Sequence, residues 1–162
     1  MREFTLPLND TDTRPIVHLD WNNIDALWAT GTDVPIWNGS EEELLKTGAT
    51  VVRDEVKVNT TYGEAKGKLY EVHDFKLGEL SYPILHIVCS PAPDFAPCSM
   101  LIGNSMFKGL TVDVNGPERT LTIEFDDVSA VRNVIVEEKN GRVVCQAVMD
   151  IENRSNGKRD YT

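Results

Sequence analysis

Apolar and polar residues alternate in short segments along most of the chain, and turn residues separate these segments. Segments rich in β-branched and aromatic residues lie at 4–8, 15–19, 24–28, 50–52, 56–59, 68–75, 82–89, 100–102, 110–114 and 120–125. Two more, 131–137 and 142–149, flank Lys139-Asn140-Gly141, and Asn-Gly between alternating apolar residues is a strong β-hairpin signal. The pattern predicts an all-β chain whose many short strands form a closed or strongly curled sheet.

Helical patterning is confined to two short stretches. In the first, Ser40 is the N-terminal cap and Glu43 completes a capping box. Leu44 and Leu45 are expected to face inward, and Gly48 ends the helix. The second is expected over residues 104–108. The sequence therefore predicts one or two short helices among the strands.

The chain divides into one domain and a C-terminal extension. Residues 1–125 form the predicted domain, after which the chain turns acidic at Asp126-Asp127. Residues 126–150 contain the predicted Asn140-Gly141 hairpin. Residues 151–162 are polar and lack apolar periodicity, so we expect a disordered tail.

Charge and composition narrow the range of partners. The 162 residues carry a net charge of -10, which opposes binding to nucleic acid or anionic membranes because phosphates would be repelled. No apolar run approaches the roughly 18 residues that span a bilayer, and the first residues lack the features of a signal peptide. The three cysteines, Cys89, Cys98 and Cys145, are interpreted as reduced, which predicts a cytoplasmic protein.

One segment carries a chemical motif with a single change. Trp28-Ala29-Thr30-Gly31-Thr32-Asp33 follows the predicted strand 24–28. Its pattern is two apolar residues, then Asp-Thr-Gly, a small residue and Asp, except that Ala29 stands at the first Asp position. A weak internal echo occurs at Ser99-Met100-Leu101-Ile102-Gly103, since both segments are apolar strand ends that close on glycine.

Several features in one order resemble the retropepsin-like aspartic peptidases, the retroviral-protease type and its cellular relatives. A strand runs into Ala29-Thr30-Gly31, a short helix follows, and next comes a hairpin with its expected tip at Thr61-Tyr62-Gly63-Glu64. Residues 77–88 and 101–107 are similar to the family's later strand and its apolar-apolar-Gly segment with a short helix. The resemblance covers residues 4–125 and implies a closed acid-protease-type β-barrel, with the C-terminal hairpin as an addition.

The resemblance also implies an activity, that of an aspartyl protease, a hydrolase of peptide bonds. Such enzymes hold two carboxylates about 3 Å apart that share one proton, so that one is a base and the other an acid. Because this chain has one such motif, the site implies a homodimer, with a peptide or protein as substrate. No metal and no other cofactor is expected.

Individual roles follow by position within the family's motif. Position 29 is that of the catalytic Asp, and Thr30 and Gly31 complete the catalytic loop, with Thr30 expected to interlock with the partner chain. Asp33 is expected to bind substrate main-chain amides. Further substrate-binding positions are Tyr62 and Gly63 in the flap hairpin, and Ile102 and Gly103 in the second glycine segment. The extension after residue 125 is expected to enlarge the dimer interface or to cover an open sheet edge.

Ala29 departs from the family, because alanine can neither titrate nor hold a water. The chain is therefore predicted to be catalytically inactive as it stands. Asp25 does not replace the carboxylate, since four residues of strand place it about 13 Å away. An engineered Asp-to-Ala change is the favoured interpretation; a natural pseudopeptidase serving as a peptide-binding or dimerisation module, and an accidental resemblance in an unrelated β-barrel, are the alternatives.

Overall fold

The computed structural model describes residues 1–10, 14–29, 32, 34–60, 63–90, 98–139 and 142–149, with backbone alone at 59, 60, 63, 65, 138, 139 and 142–149. Twelve strands lie in this part of the chain: β1 Arg2–Pro7, β2 Ile16–Leu19, β3 Ile24–Trp28, β4 Ile36–Trp37, β5 Thr50–Thr60, β6 Gly63–Leu77, β7 Leu80–Cys89, β8 Met100–Ile102, β9 Thr111–Asn115, β10 Thr120–Phe125, β11 Arg132–Lys139 and β12 Arg142–Met149. One α-helix, α1, spans Glu41–Lys46, and 3-10 helices span Trp21–Asn23 and Asn104–Phe107. None of these helices is long and apolar enough to cross a membrane.

The strands form two sheets. The smaller has the antiparallel order β1-β10-β9. The larger runs β12-β11-β7-β4-β8-β3-β2, and β6 pairs with the other edge of β7 and carries β5. The prediction of a mostly β chain is confirmed. In the pairing of the described residues neither sheet closes on itself, so the closed barrel stays a prediction.

The buried apolar side chains form two clusters. The larger joins the small sheet to the large one and contains most of the aromatic residues. Trp37 is fully buried there, while Trp21 and Trp28 pack at its margin with ring centroids 4.7 Å from Phe75 and 4.8 Å from Phe107. The second cluster lies around Ala29 and is described with the candidate site.

Helix α1 begins as the sequence predicts but buries one leucine instead of two. The Ser40 hydroxyl accepts from the Glu43 amide at 3.2 Å and the Glu43 carboxylate accepts from the Ser40 amide at 3.4 Å, which completes the capping box. Leu44 is fully buried, whereas Leu45 is 50% exposed. The prediction for Leu45 is wrong: successive residues are about 100° apart around a helix, and in α1 this angle turns Leu45 towards solvent while Leu44 faces the core.

The β5–β6 hairpin is longer than its sequence pattern predicts. Segments 50–52 and 56–59 belong to one strand, which continues through register shifts between Val51 and Val56. At the far end Thr60 pairs with Gly63, so Gly63 and Glu64 of the predicted tip belong to β6, while residues 61 and 62 lie outside the described residues. At Gly67 the hairpin passes so close to β7 that an added β-carbon would lie 2.0 Å from the Cys89 carbonyl oxygen.

The extension after residue 125 is part of the large sheet. β11 and β12 form the predicted antiparallel hairpin, with Lys139 paired to Arg142. β11 lies beside β7 in parallel, along the stretch of the β7 edge that β4 leaves open. One of the two roles predicted for the extension, covering a sheet edge, is therefore confirmed. The predicted tail at 151–162 and the hairpin turn at 140–141 lie outside the described residues.

Candidate functional site

The two glycine-terminated segments of the sequence lie side by side. β3 and β8 pair in parallel over three consecutive residues, from Ala26 opposite Met100 to Trp28 opposite Ile102. Residue 29 therefore comes directly after the end of β3, beside residue 103, which comes directly after the end of β8. The internal echo in the sequence corresponds to a physical pairing of these two strand ends.

Backbone hydrogen bonds fasten the chain after β3 to the chain after β8. The amide of Ala29 donates to the carbonyl of Ile102 at 2.8 Å, and the amide of Thr32 donates to the carbonyl of Ala29 at 3.1 Å. The amide of Asn104 then donates to the carbonyl of Thr32 at 3.2 Å. These three backbone bonds hold Ala29 and Thr32 against Ile102 and Asn104.

Gly103 is required at this crossing for space. Its φ of -116° is extended backbone that any residue can adopt. A β-carbon at position 103 would nevertheless lie 2.0 Å from the Thr32 carbonyl oxygen, far inside contact distance. The glycine therefore permits the close approach of the two loops, which is a requirement the sequence motif alone does not explain.

The surroundings of Ala29 are apolar. Its side chain is 4% exposed and belongs to the second buried cluster. Other members come from strands of the large sheet and from the β5–β6 hairpin, namely Ile16, Leu27, Val34, Ile36, Val56, Val58, Leu69, Val88, Leu101 and Val136. Position 29 is thus a buried position directly after β3, in one apolar cluster with Val56 and Val58 of the hairpin.

Asp25 is engaged elsewhere. Its carboxylate lies 2.9 Å from Nδ1 of His18, its partner in the β2–β3 ladder, and both side chains are partly exposed. This hydrogen bond raises the pKa of His18. Asp25 therefore supports an exposed cross-strand pair and does not contribute a carboxylate at position 29.

The structure brings together some of the predicted site residues. Ala29, Ile102 and Gly103 lie at the crossing, and Gly63 pairs with Thr60 at the end of the β5–β6 hairpin. Four further predicted site residues lie outside the described residues: Thr30, Gly31, Asp33 and Tyr62. Sequence reasoning missed Thr32 and Asn104 as members of the crossing. Both flank predicted positions, and the bond between them joins backbone atoms, which carry no signal in residue type.

Two surface cavities lie away from Ala29. One, of about 270 Å³, lies between α1 and the start of β3 and is lined by residues that include Trp37, Glu43 and Lys46. The other, of about 210 Å³, lies beside Met1, Lys108 and Phe125. Neither has Ala29, Ile102 or Gly103 in its lining, so neither cavity belongs to the crossing.

Cysteine and metal-ligating residues give no second centre in the part of the chain described. Cys89 and Cys98 are free thiols; burial raises the pKa of Cys89 to about 11 and also raises that of Cys98, so both are protonated at neutral pH. Within the described ranges no group of three or more His, Cys, Asp and Glu side chains is arranged to hold a metal ion. The β3–β8 crossing is the candidate site.

The chain matches no protein-family model, no curated protein and no solved structure. The geometry of the crossing is consequently the basis for assigning a function.

Proposed function

We propose that the chain is a homodimeric aspartic endopeptidase of retropepsin type, inactive because Ala29 occupies the position of its catalytic aspartate. The observation that carries the proposal is the parallel pairing of β3 with β8, which joins Ala29 to Ile102 by a backbone hydrogen bond. The two motif segments that carry the family resemblance thus meet at one place. A chance resemblance gives no reason for two segments about 70 residues apart to pair strand end to strand end.

The proposed reaction needs two copies of the chain. With Asp at position 29, each copy supplies one carboxylate, and the two share a proton because like charges so close cannot both ionise. The ionised carboxylate takes a proton from water as the water oxygen attacks the scissile carbonyl, and the protonated one gives its proton to the carbonyl oxygen. Collapse of the tetrahedral intermediate then breaks the C–N bond: the carboxyl that took the proton from water gives it to the leaving nitrogen, and the other carboxylate takes back the proton of the former carbonyl oxygen, so the dyad again holds one proton.

The proposed peptide substrate lies between the two copies as an added β-strand. The β5–β6 hairpin is the proposed flap, with Tyr62 and Gly63 at its end, and closure of this flap would exclude water from the reaction. Asp33 is proposed to accept hydrogen bonds from substrate amides, and Thr30 to interlock the two copies. The closed barrel and a cytoplasmic location belong to the same proposal.

One observation favours a second candidate, a non-catalytic peptide-binding or dimerisation module on the same fold. The methyl group of Ala29 is 4% exposed among apolar side chains, an environment that suits alanine. A carboxylate at the same position requires polar partners from the second copy, since a buried unpaired charge is strongly unfavourable. The two candidates therefore differ in whether position 29 tolerates and uses an acid.

The deciding experiment restores the acid as Ala29→Asp, with Ala29→Asn as a matched control of equal size that cannot titrate. We expect Ala29→Asp to cleave denatured protein between about pH 3 and about pH 7, at least about a thousandfold faster than Ala29→Asn, since each acid–base contribution is typically 10²–10⁴-fold. A statine-type inhibitor should abolish this cleavage. Sedimentation velocity and thermal unfolding establish that both variants are folded dimers.

Two outcomes contradict the peptidase proposal. Equal cleavage by folded, dimeric Ala29→Asp and Ala29→Asn excludes the enzyme and supports the non-catalytic module. A chain that stays monomeric at all concentrations, with either residue at position 29, excludes the shared dyad itself.

A further inference from the structure

The attachment of β11 to β7 depends in part on side chains. The two strands pair directly where Val134 lies opposite Leu85, and just before β11 the backbone amide of Ser81 donates to the carbonyl of Ala130 at 2.8 Å. On one side of that pair the side-chain oxygen of Asn133 accepts the backbone amide of Ile84 at 3.0 Å. On the other side the ring of a histidine in β7 accepts a hydrogen bond from a backbone amide of β11. We call this attachment the β7–β11 seam.

The histidine of the seam is His86, and its two ring nitrogens have different partners. Nδ1 accepts the backbone amide of Val136 at 3.1 Å, and Nε2 lies 3.0 Å from a carboxylate oxygen of Glu71. Because Nδ1 accepts a hydrogen bond, the ring proton must reside on Nε2, which donates to Glu71. His86 is 8% exposed, so little water is available to replace either partner.

This arrangement suits the neutral ring alone. A second proton on Nδ1 would face the N–H of Val136, and two donors cannot share one hydrogen bond. Histidine is the side chain that changes charge between about pH 5 and about pH 8. The Nε2 proton is bonded to Glu71 in both the neutral and the protonated ring. The bond that protonation removes is therefore the one from the Val136 amide of β11 to Nδ1.

The charged surroundings of His86 come mainly from β6. Glu71 contacts His86 directly, and its other carboxylate oxygen lies 2.8 Å from Nε2 of His73. On β11, Glu137 is exposed to solvent, and Arg132 donates to the carbonyl of Lys108. Among the described side chains, Glu71 is therefore the charged group placed to interact with His86.

The seam holds the C-terminal hairpin over the candidate site. Val136, whose amide bonds to His86, is 8% exposed and belongs to the apolar cluster that contains Ala29, Val56 and Val58. β12 in turn lies against β5 and against the 3-10 helix Asn104–Phe107. Loss of the seam would uncover one side of the cluster around Ala29 and the base of the β5–β6 hairpin.

We propose that protonation of His86 releases the β11–β12 hairpin from β7, so that the hairpin covers the Ala29 cluster at neutral pH and uncovers it in acid. The release is a property of the fold and does not depend on catalysis. Its consequence, a peptidase that becomes accessible under the acidic conditions in which a carboxylate dyad works, rests on the proposed function.

Hydrogen exchange of the Val136 amide tests the release directly. Protection factors, corrected for the intrinsic rate at each pH, are measured at about pH 7.5 and about pH 5 with the Trp28 amide of β3 as internal reference. We expect Val136 protection in the unmodified chain to fall about tenfold more than that of Trp28, since one buried hydrogen bond is lost. In His86→Asn the amide oxygen takes the place of Nδ1 and cannot titrate, so Val136 protection should not fall.

Asn133→Ala is the matched control on the other side of the seam. It removes the bond to Ile84 and should lower Val136 protection at both pH values. The ratio of Val136 protection between the two pH values should stay unchanged. The same fall with pH in His86→Asn as in the unmodified chain would overturn the proposal.

A measurement on the unmodified chain keeps the test independent of how the variants fold. The ¹⁵N shifts of the His86 ring should show the Nε2–H tautomer at about pH 7.5, and protonation of Nδ1 should share its midpoint with the loss of Val136 protection. An Nδ1–H tautomer, or two different midpoints, would refute the switch. Cleavage by Ala29→Asp does not enter this test, so the switch and the peptidase can fail separately.

Discussion

The large sheet contains two parallel strand pairings that are held by different means. β3 and β8 pair through three consecutive residues, and the ladder continues into the loops with the bond from Ala29 to Ile102. β7 and β11 pair at one residue, between bonds contributed by Asn133 and His86. The first junction is built from backbone groups that every residue carries. The second combines backbone bonds, among them the bond from the Ser81 amide to the Ala130 carbonyl just before β11, with bonds to two particular side chains.

This difference separates what each junction can do. Backbone amides and carbonyls do not titrate near neutral pH, so the β3–β8 crossing should hold its geometry across the range in which a peptidase works. A junction made by a histidine and an asparagine can be loosened by a proton or by one substitution. The crossing is thus suited to fix a site, and the β7–β11 seam is suited to regulate access to it.

The largest predicted effect breaks the crossing. Gly103→Ala should lower the free energy of unfolding by about 3 kcal/mol, because its β-carbon would overlap the Thr32 carbonyl oxygen and the two loops would have to separate. Gly116→Ala is the matched control, since a β-carbon at that position meets nothing within 4 Å. Urea unfolding measures both. A Gly103→Ala chain as stable as Gly116→Ala would show that the loops do not cross closely.

A smaller effect of opposite sign is expected beside the seam. Arg132 is 1% exposed, its burial lowers its pKa, and two of its guanidinium nitrogens, Nε and Nη1, have no hydrogen-bond partner among the described residues. Arg132→Met should therefore raise the free energy of unfolding by about 1 kcal/mol, because it removes a buried charge that has no counter-ion among the described residues. Lys57→Met, at an exposed position on β5, controls for the loss of positive charge.

The measurement for Arg132→Met is again urea unfolding, at neutral pH. A loss of stability of more than about 1 kcal/mol would contradict the prediction and would show that an acidic group from outside the described residues neutralises Arg132.

The smallest effect concerns an exposed counterpart of the His86–Glu71 pair. Asp25 raises the pKa of His18 through their hydrogen bond, so Asp25→Asn should lower it, as NMR titration of the ring can measure. Because the folded-state pKa is raised, the pair stabilises the fold below the unfolded pKa of about 6.5, and this contribution disappears as pH rises through the folded pKa. Asp20→Asn is the control, since Asp20 makes a lesser contribution to the same shift.

The titration of His18 should leave the strands in place, because both sides of the β2–β3 ladder are joined by backbone bonds. Loss of amide protection in β2 with the same midpoint would contradict the distinction between backbone and side-chain junctions.

Local sequence signals predicted most of the strands and the start of helix α1. Strand β3, Ile24–Trp28, and strand β10, Thr120–Phe125, have the predicted bounds because alternation and turn residues mark both ends. Strand β4 was missed, since two residues, Ile36–Trp37, are too few to show alternation. The β7–β11 pairing was equally invisible, because its partners are about fifty residues apart and its bonds come from a histidine and an asparagine that carry no pairing pattern.

The sequence predicted which residues belong to the candidate site better than it predicted the contacts between them. The echo between the Ala29 and Gly103 segments indicated related strand ends, and the structure pairs them. Their parallel register and the bond from Asn104 to Thr32 depend on how distant strands are ordered in the sheet, which no local pattern specifies. The proposed chemistry also depends on Thr30, Gly31, Asp33 and Tyr62, which lie outside the described residues.

The close approach at Gly67 has a consequence for the reach of the β5–β6 hairpin. Lys68 opposite Cys89 is the last pair between β6 and β7, so beyond Gly67 the two strands of the hairpin pair only with each other. At the start of this two-stranded arm the missing β-carbon lets the Gly67 backbone rest on the Cys89 carbonyl. A methyl group at position 67 would overlap that carbonyl, so the arm and the end of β7 would have to separate at the point where the arm begins.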